Sequence, residues 1–346
     1  PTAAPSARTS WQKWASHLRK FRAILADCKG GVRYMEKTLL IGNGLNRTLR
    51  FSISWSELLR DVADEYGVEY IADLPMPLEF ERIVNAILWN SVIPSVQIYS
   101  DVKEKIAKKV KYTKLPEDAI HRELTTLKTD AIITTNYDYL LEYAFNSDFA
   151  YKDKTNSKYL LEATSTQRDV KFYHMHGMAD NPDSICLGYE HYMGIVEKLR
   201  SKLNAKVQNR QNEMKIKRIL VGEDGSTGEW GERFYTTDVD IIGLGLTTAE
   251  SDVWWLLTHR ASIYYTNYCD IRKYMKNQIT YYDVIDDLER NKPEDERARQ
   301  QKMAEKRKIH QLLKGAHVRV VTFDLSKCDR EYENAYRQIM QSITTF

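Results

Sequence analysis

Residues 40–47 read Leu-Ile-Gly-Asn-Gly-Leu-Asn-Arg (LIGNGLNR), a short apolar run that enters a Gly-x-Gly pair and leaves through polar residues. A strand delivers a tight backbone turn to a phosphate in this way, because Gly42 and Gly44 have no side chain to hold a pyrophosphate away from the main chain. The third glycine of a dinucleotide fingerprint is absent, since Arg47 stands in its place. The loop favours nucleotide binding but argues against a standard dehydrogenase, and an ordinary tight turn is the alternative.

Short apolar strands alternate with helical stretches along the rest of the chain. Helices are predicted behind an S-x-x-E capping box at Ser54 and Glu57, and at about 78–92, 100–111, 117–127 and 249–261. Strands are predicted at KTLLI (37–41), DAIITTNYD (130–138), VKFYHMHG (170–177), DVDIIGLG (238–245) and HVRVVTF (317–323), with a β-rich SIYYTN (262–267). This alternation predicts an α/β fold, with a mostly parallel sheet and helices on both faces.

The predicted domain begins at residue 37 and runs to 346. Residues 1–36 are interpreted as a leader with an amphipathic helix at 11–28, which either contacts another subunit or packs on its own core. Residues 195–231 break the alternation of strands and helices and are interpreted as a helical, basic insertion or lid. Their positive charges either approach phosphates or form a face that is exposed to solvent. Residues 286–309 mix both charges and predict an exposed helix.

Composition excludes several classes of protein. With 346 residues, 42% of them hydrophobic, and a net charge of +3, the chain supports a real core, and its total charge gives no argument for nucleic-acid or membrane binding. Its four cysteines form no CxxC pair, so no structural zinc or other metal is expected. No stretch reaches the ~20 apolar residues of a membrane span, and no secretory signal is visible, so a cytoplasmic protein is expected.

Polar residues follow several of the predicted strands. Because ligands bind outside the carboxyl ends of parallel strands, these residues are expected to converge on one crevice. The amide of Asn136 can donate and accept hydrogen bonds, which suits a ribose hydroxyl or a water. For Asp138 the favoured role is to cap the following helix.

The HMHG stretch (174–177) places two histidines on one face of a strand. A metal site is the alternative, but no further ligand lies nearby in sequence. His176 is the candidate general base near neutral pH, and His174 its packed neighbour. Further along, Gly243 and Gly245 open a second turn, after which a carboxylate, Glu250 or Asp252, suits a helix start.

In this order, GNGLN, TTNYD, HG and GLGL…ESDVWWLL resemble the SIR2-like domains of bacterial anti-phage defence proteins, divergent relatives of sirtuins, over roughly residues 37–325. The resemblance implies a Rossmann-type fold that binds NAD as a substrate, with no separate cofactor. It implies cleavage of the nicotinamide–ribose bond to nicotinamide and ADP-ribose, which depletes NAD and halts an infected cell (abortive infection).

The resemblance also assigns roles. The catalytic asparagine and histidine of the family fall on Asn136 and His176. The nucleotide-binding positions fall on the first loop, on Asp138 and on the late turn: Gly42, Asn43, Gly44, Asn46 (where sirtuins usually have Ser), Asp138, Gly243, Gly245 and Leu246. The four-cysteine zinc module of sirtuin deacylases is absent, which argues against peptide deacylation.

The family also implies partners. A homo-oligomer is expected, with a helicase-like ATPase or a phage-derived activator acting from another polypeptide, and residues 11–28 and the basic insertion are the candidate contacts. Three other functions stay open: a non-catalytic module that senses NAD or ADP-ribose, a deacylase or ADP-ribosyltransferase in the same crevice, and nucleic-acid binding through residues 198–218, which is not favoured.

Overall fold

A mostly parallel sheet forms the centre of the protein. The computed structural model describes residues 35–285 and 293–344, except 73, 94, 96, 153, 154, 205–213 and 248. The strands are β1 (Lys37–Ile41), β2 (Ala131–Thr134), β3 (Ser165–Gln167), β4 (Val170–His174), β5 (Asp238–Ile242), β6 (Ile279–Ile285) and β7 (Arg319–Asp324). Within the described residues they form one seven-stranded sheet in the order β3-β4-β2-β1-β5-β6-β7. Only the β3–β4 pair is antiparallel.

The helices connect and cover these strands. They are α1 (Asn43–Asn46), α2 (Trp55–Glu65), α3 (Met76–Asn90), α4 (Gln97–Val110), α5 (Leu140–Phe145), α6 (Tyr189–Leu203), α7 (Lys215–Leu220), α8 (Trp230–Thr236), α9 (Ser251–Thr266), α10 (Pro293–Gly315) and α11 (Tyr332–Thr344). Single 3₁₀ turns lie at Ile120–Thr126, Pro182–Ser184, Tyr268–Lys273 and Leu325–Lys327. The capping box predicted at Ser54 and Glu57 begins α2.

Successive residues of a strand point to opposite faces of the sheet and pack into two different core clusters. Helices therefore cover both faces. Leu40 packs into one cluster with the apolar sides of α6, α8 and α9, whereas Leu39 and Ile41 pack into another with those of α5 and α11. The predicted α/β fold with a mostly parallel sheet is therefore confirmed. A third cluster joins α2, α3 and α4 to Tyr137 beside the sheet.

One local prediction is wrong, and two strands were not predicted. SIYYTN is not β-rich but completes α9, because Leu257, Ala261 and Ile263 continue a helical apolar stripe into the core. The strand after it is ITYYDVI, which is β6, and the edge strand β3 was not predicted. Within 195–231, α6 and α8 bury Leu199 and Trp230 in the main core.

The helix expected at 11–28 lies outside the described residues. In the part of the chain that is described, no helix has the length and apolar character needed to cross a membrane.

Candidate active site

A hollow of about 390 Å³ opens at the edge where the parallel strands end. Its wall includes residues that follow β1, β2, β4 and β5 and the carboxyl end of β6, with contributions from α2, α6, α10 and α11. Of the residues selected from sequence, it contains Asn43, Gly44, His176, Gly243 and Gly245. The volume falls within the range of small-molecule and cofactor sites.

The two glycine turns meet at the point where the strand order reverses, between β1 and β5. The Gly42 amide donates to Ile242 O at 2.9 Å, and the Gly44 amide donates to Gly243 O at 2.7 Å. A Cβ on Gly42 would lie 2.5 Å from Gly243 O. These glycines therefore lock one turn against the other, and their amides, expected to face a phosphate, bind carbonyls of the protein instead.

Gly245 differs from the other glycines of these turns. A Cβ built there meets nothing closer than 3.9 Å, so the protein itself does not require a glycine at this position. Because Gly245 lies in the wall of the hollow, its missing side chain leaves room for a ligand rather than for the fold.

The imidazole of His176 enters the hollow two residues after β4 ends. The turn needs Gly177, whose φ is +95° and whose Cβ would lie 2.2 Å from Ser184 O. His176 Nε2 lies 2.9 Å from Oδ2 of the buried Asp252, whose Oδ1 accepts the Val253 amide at 2.9 Å. Since a carboxylate oxygen accepts, the neutral imidazole is assigned the tautomer with its proton on Nε2, which leaves the lone pair on Nδ1.

His174 lies inside the protein and holds the backbone at Asn136. Its Nδ1 donates to Asn136 O at 2.9 Å, and its Nε2 lies 2.9 Å from Glu142 Oε1. Burial lowers the pKa of His174, but the Glu142 charge and these hydrogen bonds outweigh it, so the pKa is raised. The resulting ion pair between His174 and Glu142 fixes the carbonyl of Asn136.

The amide of Asn136 is buried, and within the described residues neither its Nδ2 nor its Oδ1 has a hydrogen-bond partner. It does not line the large hollow. It lines a neighbouring cavity of about 20 Å³, which shares Asn43, Trp55 and Tyr137 with the hollow. This space admits about one water. An unsatisfied buried amide costs ~1–3 kcal/mol, so the group is poised for a ligand or a water.

Asn46, Asp138 and Leu246 lie away from the wall of the large hollow. Asn46 Nδ2 donates to Asp138 Oδ2, and its Oδ1 accepts from His121 Nε2, both at 2.8 Å. Asp138 Oδ1 accepts the amide of Leu140, the first residue of α5, and burial raises the pKa of Asp138 to about 6. Leu246 is fully buried in the core.

Another part of the wall carries Asp283, which the sequence reasoning did not select, and Glu250, which it named only as a carboxylate at a helix start. At the carboxyl end of β6, Asp283 accepts hydrogen bonds from Lys306 and His310 of α10, the second at 2.8 Å. Glu250 accepts from Thr247 Oγ1 at 2.8 Å, and burial raises its pKa. A carboxylate at the end of a Tyr- and Val-rich run, as in ITYYDVI, was the available signal for Asp283.

Among the residues that the structure describes, no group of three or more His, Cys, Asp or Glu side chains is arranged to hold a metal ion.

Comparison with known proteins identifies the class of this site. Residues 130–216 match the model of the SIR2-like domain, a segment that includes β2, β4, Asn136 and His176. The resemblance inferred from the motifs is thus confirmed as a SIR2-like match at residues 130–216.

One characterised relative is similar over a larger part of the chain. It is the NAD(+) hydrolase ThsA of Bacillus cereus (strain MSX-D12), 26% identical over 157 residues, which are 44% of this chain and 31% of the relative. The chain therefore matches about a third of the length of that protein.

Proposed function

We propose that this protein is an NAD glycohydrolase that cleaves the bond between nicotinamide and ribose to give nicotinamide and ADP-ribose. The His176–Asp252 pair in the wall of the hollow carries the proposal, because it presents a fixed, lone-pair nitrogen to a cavity of ligand size. The similarity to an NAD(+) hydrolase supports the choice of substrate.

The reaction consumes one water. The bond between ribose C1′ and the pyridine nitrogen breaks, and its electron pair leaves with nicotinamide, which is neutral and needs no acid. The sugar passes through an oxocarbenium-like state that water attacks at C1′. His176 Nδ1 accepts the proton of that water or of a ribose hydroxyl, a contribution of ~10²–10⁴-fold.

Asn136 is proposed to hold the attacking water. Its two unpaired amide atoms provide a donor and an acceptor, and the adjoining space has the size of one water. Trp55 and Asn43 belong to both cavities and form the boundary that the water crosses.

Gly245 and Asn43 are proposed to face the phosphates, since they line the hollow at the strand-order reversal. Asp283 and Lys306 lie in the wall of the same hollow near the end of β6, with His310 hydrogen-bonded to Asp283, and Asp283 is proposed to face the adenosine half.

The biological role proposed is depletion of NAD in anti-phage defence. A hydrolase of this kind must be restrained in healthy cells, so we expect a trigger from self-association or from a partner protein.

The test measures nicotinamide release by chromatography, with the purified chain and in cells that express it. We expect NAD loss with the wild type, and loss of at least 100-fold in rate with Asn136→Ala and His176→Ala at unchanged melting temperature. NAD binding without turnover in both settings would indicate a sensing module. A modified peptide in place of free ADP-ribose would indicate a deacylase or transferase.

A further inference from the structure

A second cavity, of about 960 Å³, lies at the opposite edge of the sheet, where β6 and β7 begin. Its wall combines the end of α9, the 3₁₀ turn Tyr268–Lys273 and the residues just before β6 and β7. Since β6 has seven residues, ~23 Å of strand separates this cavity from the hollow that contains His176.

The charge of this wall is one-sided. It contains five Lys or Arg residues against one acid, Asp270, and these cations are Arg272, Lys273, Lys276, Lys314 and Arg319. Within the described residues, no carboxylate lies within ion-pair distance of the four cations other than Arg319. A concave surface with one sign of charge concentrates oppositely charged ligands.

Aromatic groups hold part of this wall in place. The rings of Tyr264 and His317 stack with centroids 4.1 Å apart, and the Arg272 guanidinium lies 4.8 Å from the Tyr264 ring centroid. Burial lowers the pKa of His317, and the nearby charges of Arg260 and Arg272 lower it further. The positive field therefore reaches the ring of His317.

A buried arginine, Arg260, contacts this wall from inside the protein without lining the cavity. It is 1% exposed, and its Nη2 binds the carbonyl and side-chain oxygens of Asn277, a residue of the cavity wall. Its Nε and Nη1 have no hydrogen-bond partner among the described residues. The negative carboxyl end of the α9 dipole can explain why exposed cations lie nearby. It does not explain the buried guanidinium of Arg260, of which two nitrogens have no hydrogen-bond partner among the described residues.

We propose that this cavity is a second binding site, for a compact polyphosphate such as a nucleoside di- or triphosphate. Arginine and lysine bind phosphate oxygens through charge-assisted hydrogen bonds, and the volume fits a nucleotide. The cavity is concave but open to solvent, so binding of a nucleic-acid duplex is the competing outcome that the test separates from binding of a small polyphosphate. This site is distinct from the hollow that contains His176, because the two share no lining residue.

The test is titration calorimetry of the full chain with inorganic tripolyphosphate and with ATP. The charge-reversal variant Arg272→Glu/Lys276→Glu should weaken tripolyphosphate binding at least tenfold. The matched control, Lys108→Glu/Lys114→Glu, makes the same change in net charge at exposed positions elsewhere and should leave binding within twofold.

Three results would overturn the proposal. One is absence of tripolyphosphate binding at millimolar concentration. Another is equal weakening in both variants, which would indicate a response to net charge alone. The last is tight binding of a duplex oligonucleotide by a chain that binds neither tripolyphosphate nor ATP. Circular dichroism melting of each variant ensures that a folded protein is compared.

Discussion

Replacing Asp252 with Asn tests the proposed base without removing a residue that contacts water or ribose. In the wild type, Asp252 Oδ1 accepts the Val253 amide, and Oδ2 accepts from His176 Nε2. An asparagine side chain has one acceptor and one donor end. If its oxygen keeps the Val253 amide, its NH₂ group faces Nε2, which must then lose its proton and accept.

The proton of the neutral imidazole consequently moves to Nδ1, and the lone pair that faced the hollow is lost. We expect Asp252→Asn to lower the rate of nicotinamide release by ~10²–10⁴-fold, the contribution of a general base. This corresponds to ~3–5 kcal/mol of transition-state stabilisation. Because Asn and Asp have nearly the same shape, we expect the cavity and the packing around it to persist.

The assay is chromatographic measurement of nicotinamide release under conditions in which the wild type turns over NAD. NAD binding, measured by calorimetry, should change less than threefold, so that the loss is in kcat. A folded Asp252→Asn variant with more than a third of wild-type kcat would refute the assignment of His176 Nδ1 as the base. His176→Ala, assayed in parallel, gives the rate of nicotinamide release that remains without the proposed base.

Three further outcomes are expected. Gly245→Ala should fold normally, since its Cβ meets nothing within 3.4 Å, yet raise KM for NAD about tenfold if a phosphate approaches that backbone; an unchanged KM would place the phosphates elsewhere. Gly44→Ala should instead lower the free energy of unfolding by ~1–3 kcal/mol in chemical denaturation, because its Cβ would lie 2.7 Å from Gly243 O. Glu142→Gln should destabilise the protein by ~3–5 kcal/mol below pH 6.5, where the raised pKa of His174 contributes fully. That loss should shrink as the pH rises through the pKa of His174 in the folded protein, and a pH-independent loss in denaturant titrations would contradict the ion pair.

Much of the sheet could be predicted from the sequence because its strands are buried on both faces. KTLLI, AIIT and DVDII each contain two or three adjacent apolar residues followed by a polar residue or glycine, and buried parallel strands produce that pattern. SIYYTN was misread because tyrosine favours strands, whereas the helical spacing inherited from residues 253–261 decides its conformation.

Only some residues of the candidate active site could be predicted from the sequence. His176 was identified from its place before a glycine at a strand exit, but its partner Asp252 is 76 positions away in sequence. Only the strand order brings the turn after β4 beside the start of α9. Asn46 illustrates the reverse case, since a motif position suited to a ligand turned out to bind His121 and Asp138.

The contact between the two glycine turns restricts how this scaffold can be recombined. Each turn packs against the other: the Gly44 amide donates to Gly243 O, and a Cβ on Gly42 would lie only 2.7 Å from Leu244 Cα. A chimaera that takes residues 42–47 from a distant homologue but keeps the native residues 243–246 would place together two turns whose surfaces do not fit each other. Both segments must therefore be exchanged together, although nearly two hundred positions separate them in the sequence.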